Sequence, residues 1–166
     1  ASQRLGYQLE QAHHAAVIWS EEADTQLATL EQAAKALVRC AGGRHALTVI
    51  ANAATLWVWT TADKPVDLQP LLMALKSLPG VRLAMGSTGQ GAEGFRRAHL
   101  DALTTQRVLG RLHSDARVVN FDMVRLAALM TRDQKAAQHF ITHTLGNLVS
   151  APVVLRRALL TFLSCG

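Results

Sequence analysis

Residues 86–103 read GSTGQGAEGFRRAHLDAL. Four glycines fall within nine residues, and an amphipathic run follows them directly. Such a stretch is either a cradle for phosphate or a tight turn that feeds a helix into a core. A P-loop cradle needs Lys-Ser/Thr at the helix start, because the ammonium and the hydroxyl-bound metal carry the phosphates. Phe95-Arg96-Arg97 stands there instead. The letters G-x-G-x-x-G do occur, from Gly89 to Gly94, after a β-like segment and before a helical one. A dinucleotide site also needs an acid at the end of a second strand about 20 residues on. Asp115 has that distance but follows an arginine-flanked helix. The stretch therefore reads as a turn whose first apolar anchor is Phe95.

Working outward, Phe95, Ala98, Ala102, Thr105, Leu109 and Leu112 recur at helical spacing, which predicts a long helix with one packed face. Arg96, Arg97, Arg107 and Arg111 fall on the opposite side, a candidate surface for an acidic ligand or partner. VRLAMG (81–86), before the glycines, alternates like a strand. Upstream, HHAAVIWS (13–20) reads as a buried strand. DTQLATLEQAAKALVRCAGG (24–43) reads as a helix, with Asp24 or Thr25 as cap and Gly42-Gly43 as stop. HALTVIANAATLWVWTTAD (45–63) reads as a hairpin of strands 46–51 and 55–61 turning at Asn52-Ala53. VDLQPLLMALKSLPG (66–80) reads as a second helix, and ARVVNFDM (116–123) as a last strand. The expected fold is an α/β sandwich: one mixed, mostly antiparallel sheet with flanking helices. After about residue 124 the chain becomes wholly helical, with breaks at Gly146 and Pro152.

The sequence has 166 residues and a formal net charge of +5. Its basic residues are dispersed, with no run longer than two, so charge alone does not predict a nucleic-acid surface. No apolar stretch is long enough to span a membrane. Cys40 and Cys165 match no metal-ligand spacing, and two free thiols in a reducing, cytoplasmic setting are expected. The missing initiator Met suggests a piece of a longer protein.

The remaining chemistry-bearing residues give little. His139 and His143 share a helix face, but Phe140 occupies the place where a zinc protease carries its glutamate. His13 and His14 point to opposite faces of a strand. His99 falls beside neither stripe of its helix and is expected as a hydrogen-bonded structural histidine. Glu21-Glu22 reads as a solvated loop pair. Trp57 and Trp59 share one strand face and could stack a flat ligand, or pack beneath a helix as core. No catalytic residue, metal site or cofactor site emerges.

VRLAMGSTGQGAEGFRRAHLDAL resembles the signature of the GGDEF-like central domain of PucR/CdaR-type bacterial transcription regulators. Gly86, Gly94, Phe95, Arg96, His99 and Ala102 match that signature, and Ala98 replaces its usual serine. LGYQLEQAHHAAVIW (5–19) is similar to the family's opening, and LLTFLSCG (159–166) to the start of its C-terminal helix-turn-helix domain. The resemblance implies a GGDEF-like domain over 1–124, then a helical linker and first helix of a truncated helix-turn-helix domain over 125–166. The matching residues would be structural. It also implies a homodimer, DNA contact through a downstream helix-turn-helix, and a small-molecule effector. GGDEF enzymes that make cyclic di-GMP carry a Gly-Gly-Asp/Glu-Glu-Phe turn and an acid on the first strand for Mg²⁺. Here the turn is Asn52-Ala53-Ala54-Thr55-Leu56 and the strand offers Val17-Ile18-Trp19. No cyclase activity is expected. Two competing readings are a nucleotide-cyclising enzyme and a fragment that binds DNA through its own basic surface.

Overall fold

The computed structural model describes residues 6–22, 24–61, 64–130 and 134–165. Leu5 of the opening motif and Gly166 of the closing one lie outside them. The chain divides into two compact units, residues 1–128 and 129–166.

The first unit is built on β1 (Ala12–Ser20), buried along nearly its whole length. A strand apolar on both faces belongs at the centre of a covered sheet, and β1 sits there. The described sheet runs β2 (Ala46–Asn52), β3 (Thr55–Thr61), β1, β4 (Val81–Met85), β6 (Val118–Asn120), with β5 (Gly89–Gln90) pairing onto β1. All pairings are antiparallel except β4 with β6. The hairpin forms as expected, but its loop is Ala53-Ala54 rather than Asn52-Ala53: Asn52 ends β2 opposite Thr55, and its Oδ1 accepts the Ala54 N–H at 2.9 Å.

Two helices cover one face. α1 (Leu27–Ala41) buries Leu30, Ala33, Ala34, Leu37 and Ala41, and Gly42 ends it in the left-handed region at φ 75°, where glycine has no Cβ penalty. α2 (Leu68–Leu75) buries Leu71 and Leu75. These side chains meet Ala16, Ile18, Leu56, Val58 and Leu83 from the sheet. Each fully buried leucine or isoleucine there contributes about 1.5–3 kcal/mol. α3 (Gly91–Arg111) and α4 (Phe121–Met130) lie on the other face, against Val17, Trp19 and Ala84.

Several boundaries differ from expectation, each for a local reason. Neither Asp24 nor Thr25 caps α1. Thr25 Oγ1 instead donates to Ser20 Oγ at 2.6 Å, and Gln26 is the cap residue without a side-chain bond. α2 is shorter than 66–80. Asp67 caps it through the Gln69 N–H at 2.9 Å, and it ends at Leu75 while Leu78 is buried from the following turn. The last strand stops at Asn120, whose Oδ1 accepts the Met123 N–H at 3.0 Å and so starts α4 within the segment expected to be extended. The packed stripe of α3 ends at Leu109, because Leu112 lies past the helix end and is 55% exposed.

The second unit holds α5 (Gln134–Leu145), a 3₁₀ turn (Gly146–Ser150) and α6 (Val153–Cys165). Gly146 turns the chain at φ 50°, and the Pro152 carbonyl accepts the Leu155 N–H at 3.0 Å in the first turn of α6. No single helix among the described residues is long and apolar enough to cross a membrane.

Candidate functional site

At the glycine stretch the backbone leaving the sheet comes into close contact with the backbone of α3. A methyl group on Gly86 would lie 2.8 Å from the Ala98 carbonyl carbon and 3.0 Å from the Ala102 nitrogen. Gly94 packs on Gly89, and a methyl group there would sit 2.8 Å from the Gly89 Cα. Gly89 pairs with His13 as part of β5. The loop is further pinned to α3 by Ser87 Oγ, which donates to Asp101 Oδ2. Gly86, Gly89 and Gly94 thus carry backbone-to-backbone packing, Gly91 takes a left-handed backbone at φ 68°, and the loop folds onto β1 and α3.

An aromatic cluster follows from the same docking. Phe95 stacks on Trp59 with ring centroids 4.7 Å apart and planes 11° from parallel. Trp59 Nε1 donates to the Phe95 carbonyl at 3.2 Å. His13 meets the Phe95 ring edge-on at 5.4 Å. Tyr7 shares a 2.9 Å hydrogen bond with His13 Nδ1, and the Leu9 carbonyl accepts from His13 Nε2 at 3.0 Å. Burial pushes the Tyr7 phenol up to about 12, partly offset by a hydrogen bond with the Gln11 side chain. Trp59 is 5% exposed with one ring face held by Phe95, so of the pair only Trp57 remains partly open.

His99 departs from its expected place. Its ring lies 4.5 Å from Trp57 and 4.7 Å from Trp59, on the packed side of α3. It is not the hydrogen-bonded histidine expected: Nε2 is buried with no partner among the described residues. Burial lowers its pKa, because the imidazolium would lose hydration there.

The other motif residues divide between core and solvent. Ala102 is fully buried and Arg96 is exposed. Arg97, Arg107 and Arg111 are also exposed, and Arg107 folds back on its own helix toward the Leu103 carbonyl and Thr104 Oγ1. His139 and His143 stack at 6.4 Å on α5. His13 and His14 diverge as expected, since His14 Nε2 donates to the Lys64 carbonyl at 2.9 Å. Among the described residues no three His, Cys, Asp or Glu side chains gather in metal-binding geometry.

The Mg²⁺ that serves GGDEF enzymes does not fit here. Val17, Ile18 and Trp19 are buried apolar residues at the end of β1, and the Ser20 N–H donates to the Ala54 carbonyl at 3.1 Å, which closes the turn against the strand. Glu21 is not merely solvated: its Oε1 accepts from Arg82 Nη1 at 2.7 Å. Glu22 lies over Gly80. Both carboxylates turn toward β4 rather than toward the hairpin.

Two arginines escaped the sequence reading. Arg82 stacks over Trp19 at 5.2 Å and donates to the Ser114 and Ala116 carbonyls. Arg117 donates to the Leu78 and Val81 carbonyls. They tie the segment entering β6 to the segment entering β4. Neither carries a periodicity signal, because their partners are carbonyls distant in sequence.

No curated protein matches the chain. Among solved structures, the fold is similar to the regulator of polyketide synthase expression from Bifidobacterium adolescentis, with a TM-score of 0.55 and 17% identity. The alignment covers 84% of this chain and 53% of that one, so this chain spans about half of the regulator's length. The sequence also matches the GGDEF-like domain over residues 1–108, the span that contains β1 through most of α3 and every glycine of the loop. The close-packed glycines and the aromatic cluster therefore sit inside the matched span, and this chain belongs to the GGDEF-like domain family.

Proposed function

We propose that this chain is the non-catalytic sensory and dimerisation region of a bacterial transcription regulator of the PucR/CdaR type. It works as a homodimer in the cytoplasm. It passes a ligand signal or an oligomeric state to a DNA-binding helix-turn-helix domain through the helices that follow the sheet. The mechanism is a shift between two arrangements of the dimer, set by differential affinity for a small-molecule effector.

The observation that carries this reading is the hairpin. Asn52, Ala53, Ala54 and Thr55 form a tight turn closed against the end of β1, and the two carboxylates that follow β1, Glu21 and Glu22, turn to Arg82 and Gly80 instead. Cyclase chemistry needs metal ions to neutralise the triphosphate and activate the attacking hydroxyl. A GGDEF-like frame without those ligands fits a binding or assembly role. The family match and the similar fold of a known regulator support the same reading.

The test is a fusion of this chain to a DNA-binding domain that represses a reporter only as a dimer. Repression comparable to a known dimeric fusion is expected. A folded, well-expressed fusion that fails to repress would remove dimerisation from the account.

A further inference from the structure

On the face of the sheet opposite the glycine loop, an open cavity of about 430 Å³ lies between α1 and the edge strand β2. Its size is within the range of small-molecule sites. Ala34, Val38 and Ala46 supply apolar lining, and Thr48 adds a hydroxyl. Three cations converge on it: Lys35 and Arg39, one turn apart on α1, and Arg44 just before β2. Glu31 is the single acid in the lining. Among the described residues, none of the three cations makes an ion pair or a side-chain hydrogen bond.

Cations near a helix C-terminus complement the macrodipole, and that accounts for Arg39 in the last turn of α1. Lys35 follows Glu31 by one helical turn, a favourable i,i+4 arrangement, but neither effect accounts for Arg44 beyond the helix end. Three exposed cations against the single carboxylate of Glu31 leave the concavity with a net positive charge, which draws anions to it. The lining holds no aromatic residue, so it offers nothing for a nucleobase to stack on.

We propose that this cavity binds an aliphatic anion with two or more negative charges, its carboxylate or phosphate groups held by Lys35, Arg39 and Arg44 and its carbon skeleton on Ala34, Val38 and Ala46. Arginine suits both chemistries, since its planar fork pairs two oxygens at once. The site names a ligand class for the sensory reading above and rests on that reading for its biological role.

The test is calorimetric titration of the chain at constant ionic strength. Citrate serves as the carboxylate probe, fructose 1,6-bisphosphate as the phosphate probe, and fructose as the neutral control. At least one anion should bind and fructose should not, and the arm that binds identifies the chemistry. The double variant Arg39→Gln/Arg44→Gln should weaken binding at least ~10-fold, the loss expected from removing two charge-assisted contacts. Arg97→Gln/Arg107→Gln, on the exposed face of α3, should leave it unchanged. Amide chemical-shift changes in the unmodified chain should centre on residues 31–48, a readout that does not depend on any variant folding. The proposal is overturned by three results: no anion binding at ~10 mM, binding indifferent to Arg39 and Arg44, or binding lost only in the α3 variant. The reporter fusion does not depend on these probes, so failed binding removes the site alone and failed repression removes dimerisation alone.

Discussion

Replacing Gly86 by alanine tests whether the glycine loop is a packing device. The added methyl would meet backbone, at 2.8 Å from the Ala98 carbonyl carbon and 3.0 Å from the Ala102 nitrogen. Backbone in the middle of a helix cannot swing aside as a side chain can. The Ala98 carbonyl oxygen lies nearer still, so α3 must retreat by more than about 1 Å before ordinary separations return. That movement loosens Ala98, Ala102 and Thr105, all fully buried. Overpacking against backbone costs about 3 kcal/mol or more, which lowers the melting temperature by roughly 10–15 °C in a unit of this size. Gly110 supplies the control on the same helix, because a methyl there meets nothing within 4 Å. Gly110→Ala should stabilise by about 0.5 kcal/mol through helix propensity and the unfolded state. Thermal unfolding followed by far-ultraviolet circular dichroism measures both. A neutral Gly86→Ala, or two variants with equal losses, would refute the close-packing argument.

Tyr7 is the single tyrosine in the sequence, so absorbance near 295 nm during alkaline titration reports it alone. Its midpoint should lie near 12 in the folded chain and near 10 in denaturant. The stability it contributes is present below pH ~10 and lost as pH rises toward the folded value. Burial lowers the pKa of His99, so the unfolded state binds the extra proton, and stability should fall as pH drops below about 6.5. His99→Phe should therefore gain on the unmodified chain between pH 7.5 and 5.5; an unchanging difference would show that His99 is not the group responsible. Phe95→Ala removes the ring stacked on Trp59 and should cost about 3 kcal/mol in chemical denaturation; a loss below ~1 kcal/mol would mean the cluster is not a structural anchor.

Much of the fold was legible because periodicity reports which residues leave water. The 3-4 spacing of Leu30, Ala34, Leu37 and Ala41 and the apolar run from Ala15 to Trp19 in β1 needed no tertiary knowledge. The function of the glycines was legible by exclusion, from Phe95-Arg96-Arg97 standing where a phosphate site needs lysine. β5 was not legible: two residues, Gly89 and Gln90, pair with β1 only because the loop folds back on it. His99 was misplaced because a helix angle gives direction from one axis, whereas the indoles of Trp57 and Trp59 reach out to its flank. The α1–β2 cavity joins Lys35 and Arg39 to Arg44 across the helix end, and no local pattern marks that meeting.

The most direct measurement is the melting temperature of this chain with GTP, in the presence and absence of Mg²⁺. A ligand at ~100 times its dissociation constant adds about 2.7 kcal/mol, a shift of several degrees. With no metal-binding group of three His, Cys, Asp or Glu among the described residues, Mg²⁺ should add nothing, and any shift from GTP should be equal or smaller when the metal is present. A GTP-induced shift that appears only with Mg²⁺ would contradict the non-catalytic reading and restore this chain to the enzymes of its fold.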